Sequence, residues 1–342
     1  MSPAQNRDLN IRQQGHAGRI TLTRPDALNA LTHDMALQME AALLEWKDDD
    51  SIKLVLVDAE GDKAFCAGGD VEKLYQTGKE GNFDYGRRFW TDEYRLNALI
   101  AEYPKPYIAF MQGFVMGGGV GIACHGSHRI VCESTRIAMP ECIIGLVPDV
   151  GGNYLLANAP GQLGEFLSIT GERMGPDDAI HAGFADHIVT LDKWDDLKKS
   201  LCDSGNPSVI LNSAQQPEAS ELAAINDEIN NVFNVESVID CVRSLESMHA
   251  PWAEKALKII RRGCPLSVAC AFELVRMAGK VSSVREVVKL ELRFTWRSMS
   301  QGEFLEGVRA QIIDKDRSPN WKTATLEEVT KKQVEDMLAP LG

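Results

Sequence analysis

Lys53-Leu-Val-Leu-Val-Asp-Ala59, followed by the turn Ala67-Gly-Gly-Asp70 and then a helical pattern, is the stretch that decides the fold class. A short continuous apolar run bounded by turn signals reads as a strand buried on both faces. The same order recurs twice. Tyr107 to Met111 is followed by Gly117-Gly118-Gly119, and Arg136 to Met139 by Gly145 and Gly151-Gly152. Three cycles of strand, glycine turn and helix predict a stacked α/β unit, with spacing too irregular for a strict repeat.

Working outward, Arg19-Ile-Thr-Leu-Thr23 alternates and predicts a strand, closed by the turn formers Arg24-Pro25-Asp26. Thr32 is expected to cap a helix that carries Asp34 in its first turn and sets Met35, Met39, Ala42, Leu43 and Trp46 on one face. Asp48-Asp49-Asp50 reads as a solvated loop ending it. Toward the C-terminus, strand signals stop near Leu191, and Asp203 to Pro207 is a turn-rich break. Helical patterns then dominate: Glu218 to Phe233, Val235 to Met248, Trp252 to Arg262, Leu266 to Gly279 and Val284 to Met299. Pro319 and Trp321 mark a loop before a last helix. The expected boundary lies near residue 200, with a catalytic core over 1–200 and a helical cap or oligomerisation region over 201–342.

The chain has 342 residues, 44% of them hydrophobic, enough to bury a large core without disulfides or a structural metal. Its 36 Lys+Arg against 49 Asp+Glu leave a net charge of −13. That balance disfavours nucleic acid and anionic membrane surfaces, which need clustered cations. A small anionic ligand is still allowed, because a helix N-terminus or a few local cations suffice. No apolar run approaches the ~18–20 residues of a spanning helix. Met1 to Ile20 is polar, carries Asp8 and lacks a signal-peptide pattern. The eight cysteines include no C-x-x-C pair and read as reduced thiols. The expected compartment is a bacterial cytoplasm.

The glycine turns and two acids carry the chemistry. Backbone N–H groups at such turns can bind an anion or a developing oxyanion, though the glycines would also serve tight turns alone. Met139-Pro-Glu-Cys-Ile-Ile-Gly-Leu-Val-Pro-Asp-Val-Gly-Gly152 adds Glu141 and Asp149 in apolar surroundings, where burial favours acid–base work. Each acid has a competing structural reading: Glu141 as a cap of the following turn, Asp149 as a cap of the helix that starts at Gly151.

Phe65-Cys-Ala-Gly-Gly-Asp70, Met116-Gly-Gly-Gly-Val-Gly121 and the Met139–Gly152 stretch, in this order, resemble the crotonase (enoyl-CoA hydratase/isomerase) superfamily. Leu28-Asn29-Ala30-Leu31, Tyr94-Arg-Leu-Asn97, Lys105-Pro106-Tyr107, His125-Gly-Ser-His128, Glu306-Gly-Val-Arg309 and Asp314-Lys-Asp-Arg317 agree with it. Within the superfamily the chain is most similar to the 3-hydroxyisobutyryl-CoA hydrolases, over roughly residues 15 to 325. The resemblance implies an α/β fold, a crotonase-type stacked ββα superhelix with a C-terminal helical region.

It also implies roles. Gly69 and Gly118 match the positions whose N–H groups hold the thioester oxygen, and Glu141 matches the catalytic carboxylate. Asp149 matches the second acid of the hydrolases, and Glu93 a substrate-contacting glutamate. Asn29 and Ala67 lie on segments that line the adenine and pantetheine channel. Arg24 and Lys63 are available cations for its phosphates. The hydratases place a glutamate two residues beyond the glycine triplet; here that position is Gly121. The departure disfavours water addition by two glutamates and favours thioester hydrolysis, with 3-hydroxyisobutyryl-CoA of valine breakdown as the expected substrate. Glu141 would either activate water or attack the carbonyl itself. No cofactor is implied, since coenzyme A is part of the substrate. A homo-oligomer is the default for the superfamily.

The competing readings are an enoyl-CoA hydratase or isomerase and a catalytically inactive binding protein on the same scaffold. A metal set from His125, His128, Cys124 and Cys132, a catalytic histidine there, and a nucleophilic Cys66 are all outweighed by structural roles.

Overall fold

In the computed structural model, which describes residues 8–342, all the strands lie in the first 188 residues. They are β1 (Leu9–Gln14), β2 (Ala17–Leu22), β3 (Leu54–Ala59), β4 (Ala64–Cys66), β5 (Tyr107–Met111), β6 (Phe114–Met116), β7 (His128–Val131), β8 (Arg136–Ala138) and β9 (His187–Ile188). One sheet has the order β1-β2-β3-β5-β7-β9 and the other β4-β6-β8. Among the strands of the described residues, β1 and β2 pair antiparallel and the other strand pairs are parallel. The pairs β3–β4, β5–β6 and β7–β8 therefore each send one strand to the large sheet and one to the small sheet before a helical segment follows. This is the stacked ββα architecture that the resemblance implies.

The apolar runs behave as their composition dictates. β5 is buried throughout, as is β3 except for Ala59. Ala17, Leu54, Leu56, Ile108, Phe110 and Ile130 pack against Trp194, Leu197, Leu201 and Ile210, so the helix Trp194–Ser204 covers one face of the sheet. Thr32 caps the helix His33–Lys47 by accepting from the Met35 N–H, and the expected apolar face is the buried one. Strand β1 has no counterpart in the sequence reading. It is a polar edge strand, half exposed, held by its hairpin register with β2. The polar N-terminal stretch read above begins at Met1, and its first seven residues lie outside the described residues.

The boundary expected near residue 200 is replaced by two interleaved units, one of residues up to 69, 95–138 and 173–220, the other of 70–94, 139–172 and 221–342. The first holds both sheets, and its cover continues past residue 200 because Trp194–Ser204 and Pro207–Asn212 follow the last strand. The second is helical. Pro265–Ala278, apolar on nearly every face, packs against Gly152–Ala157 and Leu163–Thr170 at its centre. The acid-bearing loops of the third cycle thus fold with the C-terminal helices, which a linear boundary does not capture. The expected helix Glu218–Phe233 is broken into Glu221–Ala224 and Asn226–Phe233. Among the described residues, no helix is long and apolar enough to cross a membrane.

Candidate active site

In the first unit, two glycine turns are built from the ends of β4 and β6. After β4, Gly68 takes a φ of +117°, open to glycine and strained for any other residue. Its carbonyl accepts from the Leu31 N–H at 2.8 Å, and the Ala67 N–H donates to the Leu28 carbonyl at 3.0 Å. Asn29, fully buried with φ +54°, fastens the partner loop. Its amide donates to the Glu60 and Ala64 carbonyls at 2.9 and 3.0 Å, and its Oδ1 accepts from the Arg24 N–H at 2.9 Å. The Asn29 side chain is therefore occupied in holding its own loop. Arg24 is similarly engaged, lying 3.7 Å from Asp8 and donating to the Ala30 carbonyl at 2.5 Å.

After β6, Gly117 turns the chain and Gly118–Ala123 forms a helix buried on all sides. A Cβ on Gly119 would stand 2.2 Å from the Cys66 carbonyl, so this glycine lets the helix start press against the end of β4. The first turn of a helix leaves its N–H groups without intrahelical acceptors. Among the described residues, no backbone acceptor is found for the N–H of Gly69 or of Gly118. Gly68 and Gly119 thus serve geometry, while the Gly69 and Gly118 N–H groups keep no backbone acceptor.

The second unit gathers four buried acids: Glu93 on the helix Phe83–Ala101, Glu141 on the short turn Glu141–Ile144, Asp149 in the loop after it, and Glu291 on the helix Val284–Ser298. None is more than 5% exposed. Burial is the main cause that raises each of them. The Asp149 charge adds to it for Glu93, Glu141 and Glu291, and Glu291 and Glu93 add further for Glu141. Asp149 is pushed up to about 7 and Glu291 to about 8. Glu93 and Glu141 stand well above the carboxylate range. Glu93 Oε1 and Glu141 Oε2 find no hydrogen-bond partner among the described residues. Each unsatisfied buried oxygen of this kind calls for an explanation, and a ligand-binding role is one.

Asp149 is not the helix cap that it could have been. That work is done by Glu291, whose Oε2 accepts from the Gly151 N–H at 2.7 Å. Its Oε1 accepts from the Asn153 N–H at 3.1 Å and the Asn153 amide at 2.9 Å. The Asp149 carboxylate instead accepts from the Tyr94 hydroxyl at 2.7 Å, and the Tyr94 oxygen lies 3.2 Å from Thr295 Oγ1.

The sequence reading missed Glu291 and Thr295, and it placed Tyr94 only among the flanking residues. A signal was present. Val284, Val287 and Val288 begin a helical stripe, and Glu291, Thr295 and Ser298 continue it where apolar residues belong. Cys66 is buried against the Gly68 carbonyl, and burial pushes Cys124 up to about 12. Among the described residues, no group of His, Cys, Asp and Glu could hold a metal.

A family model described as enoyl-CoA hydratase/isomerase matches residues 17–338. The chain belongs to that family. Among its curated members, the chain is 39% identical to a Gallus gallus protein named 3-hydroxyisobutyryl-CoA hydrolase, mitochondrial, over 98% of this chain and 89% of that one. A Danio rerio protein of the same name is 37% identical over 100% and 92%. Among solved structures, an enoyl-CoA hydratase from Rhodobacter sphaeroides is 48% identical with a TM-score of 0.93, covering 98% of both chains. A carnitinyl-CoA dehydratase from Mycobacterium thermoresistibile is 41% identical with a TM-score of 0.94, covering 98% of this chain and 97% of that one.

Proposed function

We propose that this member of the family hydrolyses an acyl-CoA thioester, 3-hydroxyisobutyryl-CoA, to 3-hydroxyisobutyrate and free CoA. The observation that carries this reading is the choice of acids. The helix after the glycine triplet has Gly121 where the hydratases carry a glutamate, and the buried acid beside Glu141 is Asp149. The curated relatives carry the hydrolase name, which supports the same substrate class.

In the proposed reaction, the Gly69 and Gly118 N–H groups stabilise negative charge on the thioester oxygen as the carbonyl carbon becomes tetrahedral. Glu141 starts the step from its ionised form, which burial disfavours, in one of two ways. It takes a proton from water, which adds to the carbonyl, or it adds directly and forms an anhydride that water then opens. In either case a C–O bond forms and the C–S bond breaks. The departing sulfur gains a proton, for which Asp149 is the donor and Glu93 a substrate contact. An acid raised to about 7 holds and gives a proton near neutral pH more readily than an ordinary aspartate. Asn29 and Ala67 keep their proposed place on the segments that face CoA, with no cofactor beyond the substrate.

The name of the Rhodobacter sphaeroides structure, an enoyl-CoA hydratase, favours a second reading, addition of water to an enoyl-CoA. One experiment separates the two. Purified protein is given 3-hydroxyisobutyryl-CoA with a thiol reagent, and a short enoyl-CoA followed by its ultraviolet absorbance. Thiol release without loss of enoyl absorbance supports hydrolysis, and the reverse pattern replaces it with hydration. The proposed compartment is the bacterial cytoplasm, whereas the curated relatives are named mitochondrial; fractionation of the source cells tests it.

A further inference from the structure

Tyr94, Thr295 and Asp149 form a buried row whose hydrogens can run in either direction. Tyr94 is 3% exposed, Asp149 4% and Thr295 0%, so bulk water does not replace their contacts. When Asp149 is ionised, the Tyr94 hydroxyl donates to it at 2.7 Å, and the Thr295 hydroxyl is free to donate to Tyr94 across 3.2 Å. When Asp149 is protonated, its own O–H donates to Tyr94, Tyr94 to Thr295, and Thr295 to the Glu291 carbonyl at 3.5 Å. Neither state leaves a buried hydroxyl without an acceptor. Leaving a buried group unsatisfied carries a desolvation penalty, so a row that is satisfied both ways lets the acid change state without it.

We propose that Tyr94, backed by Thr295, is a positioning residue for Asp149, a reversible relay that holds its carboxyl in one orientation in both protonation states. The inference rests on the proposed role of Asp149 in thioester cleavage and deepens it. Glu291, one helical turn before Thr295, holds the turn that carries Asp149, so one C-terminal helix fixes both the acid and its relay. The titratable groups around Asp149 are Tyr94 and Glu93 from one helix, Glu141 from the preceding turn, and Glu291 from the C-terminal helix. Burial is the main cause that raises Asp149. The Tyr94 hydrogen bond is the side-chain contact that lowers it.

The test uses the full chain. In ligand-free protein, the Asp149 carboxyl is titrated by its infrared band, assigned by difference from Asp149→Asn. Tyr94→Phe removes one hydroxyl and should move the midpoint upward. Thr295→Val should move it less in the same direction, and Thr295→Ser should restore it. With the thioester substrate, Tyr94→Phe should lower kcat on the order of tenfold and leave KM within about twofold. In a double-mutant cycle, adding Tyr94→Phe to Asp149→Asn should cost little more than Asp149→Asn alone. An unmoved midpoint in folded Tyr94→Phe overturns the relay, as does a loss of turnover that follows melting temperature alone. If the midpoint moves but wild-type protein cleaves no thioester, the relay stands and the proposed function falls.

Discussion

Asp58 and Asp149 are the same side chain at nearly the same burial, 3% and 4% exposed, yet they are shifted in opposite directions. Burial pushes Asp58 up, but Lys198 at 2.9 Å, the Thr21 hydroxyl at 2.7 Å and Arg19 at 2.6 Å outweigh it and hold the carboxyl below its ordinary value. Asp149 has a phenol, backbone and three other acids for company, and burial prevails. A buried acid with cations stays in one charge state and ties its strand into the fold. Without them, it sits near the midpoint of its titration at neutral pH, where a proton donor is most useful. The difference lies in the partners, not in burial.

The sharpest way to break the comparison is to remove an unpaired acid's chemistry while keeping its shape. Glu141→Gln should cut thioester turnover by ~10²–10⁴, the usual worth of a general base, while acyl-CoA binding survives within a few-fold. Stopped-flow thiol release and calorimetric titration with a non-cleavable thioether measure the two effects. Near-wild-type turnover would remove Glu141 from the mechanism. Asp149→Asn should also depress turnover strongly, and Glu291 already fills the capping role that could otherwise explain a loss.

Gly118→Val tests the part of the chemistry that has no titratable side chain. If its N–H holds the thioester oxygen, turnover should fall by ~10²–10³, about 3 to 4 kcal/mol in the transition state, with a further loss in binding from the added branch. The pH profile of the residual activity should keep its shape, because backbone donors do not titrate. Melting temperature is taken on the same preparation. A destabilised protein with full activity per folded molecule would sink the oxyanion assignment.

The glycine turns were legible because strand, turn and helix are local patterns. The acids Glu141 and Asp149 were legible because each stands in a short apolar stretch. The support around them was not. Glu291 lies 142 positions beyond Asp149, on a helix whose surface acid, Glu286, looks the same in sequence as this buried one. Only its place on the valine stripe sets it apart. Strand β1 escaped for a different reason: its alternation runs only over Leu9-Asn-Ile-Arg12, and Gln13 and Gln14 then end it. The two-unit organisation escaped because the third cycle's loops fold with helices that follow a hundred residues later, and no linear composition shift records that.

Asp58→Asn should leave turnover near wild type and lower stability. It leaves Arg19 and Lys198 without a counter-charge, and their side chains are 18% and 13% exposed. Breaking a fully buried pair costs about 3–5 kcal/mol; partial access to water reduces this to roughly 1–3 kcal/mol. Urea unfolding measures it. A silent variant would mean that the cations are solvated well enough to do without Asp58.

The smallest expected effect concerns the pH dependence of stability, where the two aspartates should differ in sign. Asp149 has an ordinary value of 3.8 and is raised to about 7 in the folded chain. Between those values the folded state keeps a proton that the unfolded state has released, so stability falls as pH rises through that window. The loss is complete above about pH 7. Asn cannot ionise, so Asp149→Asn should flatten this part of the curve and melt a few degrees above wild type at pH 8, with little difference at pH 4. The remaining slope belongs to Glu93, Glu141 and Glu291, which are raised as well. For Asp58 the order reverses: its lowered value gives stability that is present above pH 3.8 and lost as pH falls through the folded value. Asp58→Asn should therefore lose its disadvantage in acid, where Asp149→Asn has no advantage to show. Melting curves for the three proteins from pH 3 to 8 decide the matter, and parallel curves for wild type and Asp149→Asn would show that Asp149 does not titrate in this range.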